Sequence, residues 1–287
     1  MRGQRLKVKG QSLNNSSLLT LNSFSLISHF LTLKIKMRKL VKGLREFKAN
    51  YYSTHRELFE QLSHGQKPRV LFITCSDSRV DPNLITQAGV GELFVIRNAG
   101  NIIPPYGATN GGEGATIEYA VQALGINQII ICGHSHCGAM KGLLKLNKLQ
   151  SDMPLVFDWL KYAEATRRLV LDHYSHYEGE DLLEIMVAEN VLTQIDNLRT
   201  YPVIHSKLYQ KQLNIYAWIY HIETGEVLAY DPVNHAYISP QSQVNEFEPE
   251  EEVEPVNNIS YGDLGFPMTR LSREQMNRIY QGSKGVN

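Results

Sequence analysis

Two apolar runs in this chain end the same way, and that coincidence constrains the fold most. Val70-Leu71-Phe72-Ile73 leads into Thr74-Cys75-Ser76-Asp77-Ser78-Arg79, and Ile129-Ile130-Ile131-Cys132 leads into Gly133-His134-Ser135-His136-Cys137-Gly138. Short, continuous runs rich in β-branched residues read as strands buried on both faces, as in parallel sheets. Each is followed by chemically capable side chains at its carboxyl end, the edge where open α/β sheets bind ligands. Helical patterns alternate with the strand patterns, which gives an α/β fold with a mainly parallel central sheet flanked by helices.

Cys75, His134 and Cys137 offer two thiolates and one imidazole, donors that zinc prefers and magnesium or calcium does not. A set of three leaves a fourth position for water, the pattern of a catalytic rather than a structural zinc site. The H-x-x-C spacing alone is weak, because no C-x-x-C accompanies it. Asp77 and Arg79 beside the first Cys strengthen it: a carboxylate held by Arg stays ionised and accepts hydrogen bonds from water on a metal. The competing reading of that pair is a surface ion pair in a loop. Cys132 alternates with Ile131 and reads as a small buried hydrophobe.

Three Cys in all, an odd number with two already assigned as ligands, argue for a reducing cytosol and against a disulfide framework. The formal net charge is zero with 20% charged residues, so no basic field points to nucleic acid or an anionic membrane. A zinc nucleic-acid module is further disfavoured by the missing fourth ligand and by the lack of a basic-aromatic patch. Residues 1–36 hold six Lys or Arg and no acid, and polar residues interrupt Ser17–Lys36 too often for a membrane span. That segment reads as a poorly ordered leader, or as sequence upstream of the true start.

Helical spacing of Leu40, Leu44 and Phe47 predicts a helix to about Tyr52, followed by a second over Thr54–Leu62. Leu93-Phe94-Val95-Ile96 reads as a strand. Gly111-Gly112-Glu113-Gly114 opens a helix whose apolar face is expected to be Thr116, Tyr119, Ala120, Ala123 and Leu124. The glycine run lacks the Lys and the spacing of a phosphate cradle, so close backbone packing explains it better. Leu155–Leu171 and Leu182–Leu198 are expected as long helices, the second with a core stripe of Val187, Val191, Ile195 and Leu198. Asn214–Tyr220 and Glu226–Tyr230 bracket the turn Glu223-Thr224-Gly225, a strand pair near the sheet edge.

From residue 241 to about 260 the chain is acidic and interrupted by Pro249 and Pro255, the composition of a linker. Residues 261–287 differ. Ser272 is an N-cap with Gln275 three residues on, and Met276, Ile279 and Tyr280 share a face. So short a helix is marginal alone, which suits a segment that folds on a partner, or equally a tail docked on its own domain.

The runs C-S-D-S-R (Cys75 to Arg79), R-N-A-G-N (Arg97 to Asn101), G-G-E-G-A-T-I-E-Y-A (Gly111 to Ala120) and G-H-S-H-C-G-A (Gly133 to Ala139) together resemble a β-class carbonic anhydrase. The resemblance covers roughly residues 37–240, and within the class the chain is similar to the enzymes of cyanobacterial β-carboxysomes. It implies a catalytic domain over 37–240 starting at Met37, an N-terminal arm packed on a second subunit, and at least a homodimer. It also implies a substrate pocket lined by Gln66, Phe94, Ala99 and Tyr119, although core packing alone would explain the last three.

Zinc on Cys75, His134 and Cys137 is then expected to make hydroxide available near neutral pH for attack on CO2, yielding bicarbonate and a proton. Asp77, oriented by Arg79, accepts the hydroxide proton. His136 is a candidate proton shuttle, though a solvent-facing spectator explains it as well. Phe72 stands where relatives with a bicarbonate-triggered inactive state carry Trp, so a constitutively open site is expected. The tail is expected to bind a carboxysome scaffold protein, placing the enzyme in the cytoplasm within a carboxysome. Alternatives are a CS2 or COS hydrolase of the same fold, and a carboxysome-organising protein with an inert core.

Overall fold

A computed structural model describes residues 37–109 and 111–240. The leader 1–36, the linker and the tail with its Ser272 cap lie outside them. The chain divides into two compact units, Met1–Gly65 and Gln66–Asn287.

In the first unit a helix α1 over residues 37–46 runs into a wider π-helical turn, Phe47–Tyr52, and α2 spans Arg56–Ser63. The second helix starts later than expected because the Thr54 hydroxyl turns back on Asn50 O at 2.8 Å, a local bond that competes with helix continuation. Phe47, Tyr51 and Tyr52 gather around Phe59, with ring centroids 5.1 to 6.2 Å away. Leu40 and Leu44 stay exposed.

The second unit is built on a six-stranded sheet in the order β2-β1-β3-β4-β5-β6. The strands β1 (Val70–Cys75), β2 (Leu93–Asn98), β3 (Gln128–His134) and β4 (Asn214–Tyr220) are parallel. Antiparallel to these runs β5 (Val227–Asp231), and β6 (Ala236–Ile238), an edge strand the sequence reading did not anticipate, pairs antiparallel with β5 in turn. The expected turn joins β4 to β5, with Gly225 at φ +76° supplying the left-handed step. Side-chain alternation sorts the two central strands: Leu71, Ile73, Ile129 and Ile131 enter the main core, while Phe72, Ile130 and Cys132 form a smaller one.

Seven helices complete the described part of this unit: α3 (Pro82–Thr86), α4 (Gly112–Glu118), α5 (Gly138–Leu144), α6 (Pro154–Leu160), α7 (Glu164–His173), α8 (Gly179–Arg199) and α9 (Pro202–Tyr209). The longest, α8, packs on β3 and β4. Gly133 permits that approach, since a Cβ there would lie 2.8 Å from Val191 and 3.0 Å from Val187. The expected stripe of Val187, Val191, Ile195 and Leu198 is buried, but so are Glu189, Asn190 and Gln194 on the same helix.

Two expectations are corrected. Leu155–Leu171 is not one helix: a 3₁₀ turn at Lys161–Ala163 divides α6 from α7, and Leu160 and Ala163 at the junction are both buried. Over α4 and the π turn Tyr119–Ala123 that continues it, the buried face is Ile117, Ala120 and Val121, an i, i+3, i+4 stripe, while Tyr119 and Ala123 are exposed. The packing role of the glycine run holds at Gly114, where a Cβ would sit 3.3 Å from the Tyr201 hydroxyl.

Candidate metal centre

Parallel pairing carries the two polar loops to one edge. Cys75 ends β1 opposite Asn98 of β2, and His134 ends β3 opposite Tyr220 of β4. Thr74 Oγ1 donates to Cys132 O at 2.8 Å and so ties the two loop-bearing strands together just below their ends. Cys137 then stands at the N-cap of α5. The ligand atoms of Cys75, His134 and Cys137 all lie within 4.8 Å of one another, and all three residues are buried.

The donor chemistry fits a metal ion. His134 Nδ1 is 2.8 Å from Ser135 O, so that nitrogen carries the proton and Nε2 keeps its lone pair. Nε2 is buried and has no hydrogen-bond partner, a costly state for an imidazole unless an electrophile takes the lone pair. A hydrogen bond from the Cys137 thiol, helped by the Gly100 and Asp77 amides, holds the Cys75 thiol below the ordinary thiol range against the opposing effect of burial. The same S–H···S hydrogen bond and burial push Cys137 upward. With an ion bound, both sulfurs would serve as thiolates.

Asp77 and Arg79 form the expected pair. Arg79 donates through Nε to Oδ1 at 2.9 Å and through Nη2 to Oδ2 at 2.8 Å, a two-pronged contact that fixes the carboxylate plane. The guanidinium and the Arg79 amide hold Asp77 well below the usual carboxylate range. Asp77 Oδ2 lies 4.0 Å from His134 Nε2, so the carboxylate stands beside the ligand atoms while committed to Arg79.

Sequence reading assigned no role to Arg97, although it lies within a quoted motif. Its Nε donates to Cys75 O at 3.1 Å and its Nη2 to Asp77 O at 2.7 Å, pinning the backbone of the whole loop. A cation just past an apolar strand was the available signal.

The remaining residues separate. Ala99 follows β2 at the ligand edge, next to Gly100. Phe94 pairs with Leu71 far down the strands and packs on Tyr119, with centroids 6.1 Å apart. Gln66 is exposed ahead of β1, at the opposite end from Cys75. His136 adopts φ +54° and faces solvent, its ring 3.0 Å from Glu180 and 3.6 Å from Glu223. Cys132 is fully buried against Phe72 and Ile130, away from the ligand group, as its apolar neighbours implied.

Residues 70–227, more than half of the chain, match the family model "Carbonic anhydrase". The chain belongs to the carbonic anhydrase family. It is 61% identical over 274 residues to a carbonic anhydrase of Synechocystis, covering 86% of this chain and 100% of that protein. Among solved structures it resembles the β-carbonic anhydrase CcaA, at 71% identity and a TM-score of 0.71, over 71% of this chain and 99% of that one. A tetrameric β-carbonic anhydrase of the fungus Sordaria macrospora matches at 26% identity and a TM-score of 0.60, over 68% and 96%. Membership makes the chain an enzyme of the β class, with the six-stranded sheet and flanking helices of that fold. Among the described residues no helix is long and apolar enough to cross a membrane.

Proposed function

We propose that the chain catalyses reversible hydration of carbon dioxide to bicarbonate and a proton, with one zinc ion per subunit on Cys75 Sγ, His134 Nε2 and Cys137 Sγ. The buried, unpartnered Nε2 facing two sulfurs carries the proposal. When bound, zinc supplies Lewis acidity that makes water a nucleophile near neutral pH. Asp77, kept ionised by Arg79, can accept a hydrogen bond but has no proton to donate. It therefore holds the O–H of the attacking water and leaves the oxygen lone pair toward CO2. Arg97 keeps the backbone of Cys75 and Asp77 in register for that contact.

The pocket is proposed to comprise Ala99 and Phe94 with Tyr119 and Gln66, completed across a homodimer in which the neighbouring subunit brings Gln66 close. Support comes from the position of Gln66 at the far end of β1 from Cys75, a strand of about 20 Å. The exposed aromatic arm of residues 37–52 suits the same assembly. Because Asp77 is engaged by Arg79 and Phe72 fills the position discussed above, the site is proposed to stay open.

Residues 261–287 are proposed to bind a carboxysome scaffold in the cytoplasm, so that bicarbonate is dehydrated beside the carbon-fixing enzyme. The Synechocystis relative aligns over 86% of this chain, more than residues 1–240 make up, so the likeness runs past residue 240.

Stopped-flow assays of CO2 hydration and of sulfide release from COS, on wild type and Cys75→Ser, test the reaction. Hydration that vanishes in the variant is expected. Sulfide release without hydration would assign the site to the other substrate. Deleting 261–287 should spare hydration and abolish scaffold capture, whereas lost activity with retained capture contradicts the role of the tail.

A further inference from the structure

The peptide group between Ala99 and Gly100 is held at both ends. Its N–H, on Gly100, donates to Cys75 Sγ at 3.4 Å, and its carbonyl, on Ala99, accepts from Trp159 Nε1 at 2.8 Å. The next carbonyl, on Gly100, accepts from Asn190 Nδ2 at 3.0 Å. Asn190 Oδ1 accepts in turn from Gln194 Nε2 at 2.9 Å, and Gln194 Oε1 takes the Ile103 N–H at 2.8 Å.

Two amides in the interior of α8 are out of keeping with their neighbours Val187, Val191 and Ile195. Asn190 is 1% exposed and Gln194 0%, so each costs free energy unless its hydrogen bonds are made. The bonds they make converge on Gly100–Ile103. The segment is closely fitted there: Gly100 sits at φ +82°, and a Cβ would lie 2.8 Å from Met140 Cε.

We propose that Asn190 and Trp159 are positioning residues of the metal centre, aiming the Gly100 N–H at the Cys75 sulfur so that this thiolate gives less charge to its ion. The inference rests on the reading of Cys75 as a ligand. Two thiolates donate more charge than imidazoles and weaken a Lewis acid, and an N–H···S bond draws some of that charge back. A donor on the carbonyl of a peptide polarises its N–H, so Trp159 strengthens the same bond from the other end. Asn190 fixes the following peptide, and with it the tilt of the N–H. Neither residue touches the reacting atoms.

Cobalt(II) in place of zinc reads the effect, because its thiolate-to-metal charge-transfer band moves to lower energy as the sulfur becomes more electron-rich. Asn190→Leu and Trp159→Phe should shift the band that way and raise the midpoint of the pH–rate profile. Cobalt affinity should fall by about tenfold, the low end for losing an outer partner of a ligand. The larger change belongs to Asn190, since solvent can reach the partly exposed Trp159 position and replace its donor. Trp159→Phe removes one N–H from an aromatic side chain on a short helix and keeps the test available should Asn190→Leu fail to fold. Band and midpoint at wild-type positions in the folded variants, even with a lower Tm, would overturn the proposal and leave these residues as supports of the fold. Wild type that takes up neither cobalt nor zinc would instead overturn the metal-centre reading.

Discussion

Cys75 and Asn98, paired at the carboxyl ends of β1 and β2, are enclosed by loops, by Arg97 and by the Gly100 backbone, all from one chain. Toward the amino ends of the same strands Gln66 is exposed, Phe94 is partly covered, and Tyr119 is 50% exposed. The difference reflects what each region must hold. An ion needs fixed ligands at bonding distance, which only the covalent register of one sheet supplies dependably. A pocket for a small, neutral, apolar molecule needs walls, and a second copy of the chain can bring those.

The largest effect that sharpens this contrast is at the Asp77–Arg79 pair. Asp77→Asn should leave zinc content unchanged and cut CO2 hydration by roughly 10–100-fold, the range for groups that orient a metal's ligands. Metal analysis beside stopped-flow rates checks it, and a drop in zinc that tracks activity would make Asp77 a ligand.

Mixed dimers come next. Gln66→Leu should lower kcat/KM by about tenfold, a loss of about 1.4 kcal/mol in transition-state binding. Combining it with Cys75→Ser should produce mixed dimers that each hold one fully wild-type site, so activity should exceed that of the two variants measured apart. Strict additivity would place Gln66 outside a shared pocket and break the contrast between the two ends.

The smallest effect lies away from both. Burial pushes the Cys132 thiol up to about 12 from its ordinary 9.0. The unfolded chain ionises this thiol first, so the folded state loses stability as pH rises from about 9 toward 12. Cys132→Ala should flatten that decline in denaturant titrations, cost about 1 kcal/mol at pH 7, and leave zinc content and rate unchanged.

Much of this was legible in the sequence where chemistry and periodicity coincide. Val70–Ile73 and Ile129–Cys132 showed the buried strands, and the polar residues after them showed the ligand edge. Cys132 could be set apart from the ligands because it alternates with Ile131 within an apolar strand. The break at Lys161–Ala163 carries no Pro or Gly, so nothing local in the sequence marked it. Asn190 and Trp159 lay in segments whose periodicity reads as core, and their partners are far away in sequence. No local pattern records which backbone carbonyl a distant amide will meet.

Zinc K-edge X-ray absorption on the purified chain, with zinc counted per subunit, tests the central claim most directly. One zinc per chain is expected, with two sulfurs near 2.3 Å and two lighter ligands near 2.0–2.1 Å, the usual Zn–S and Zn–N/O lengths. Cys137→Ser should then lose one of the two sulfurs from the shell, or the zinc altogether, together with CO2 hydration. A folded, active protein without zinc, or a sulfur shell that survives that substitution intact, would contradict the account.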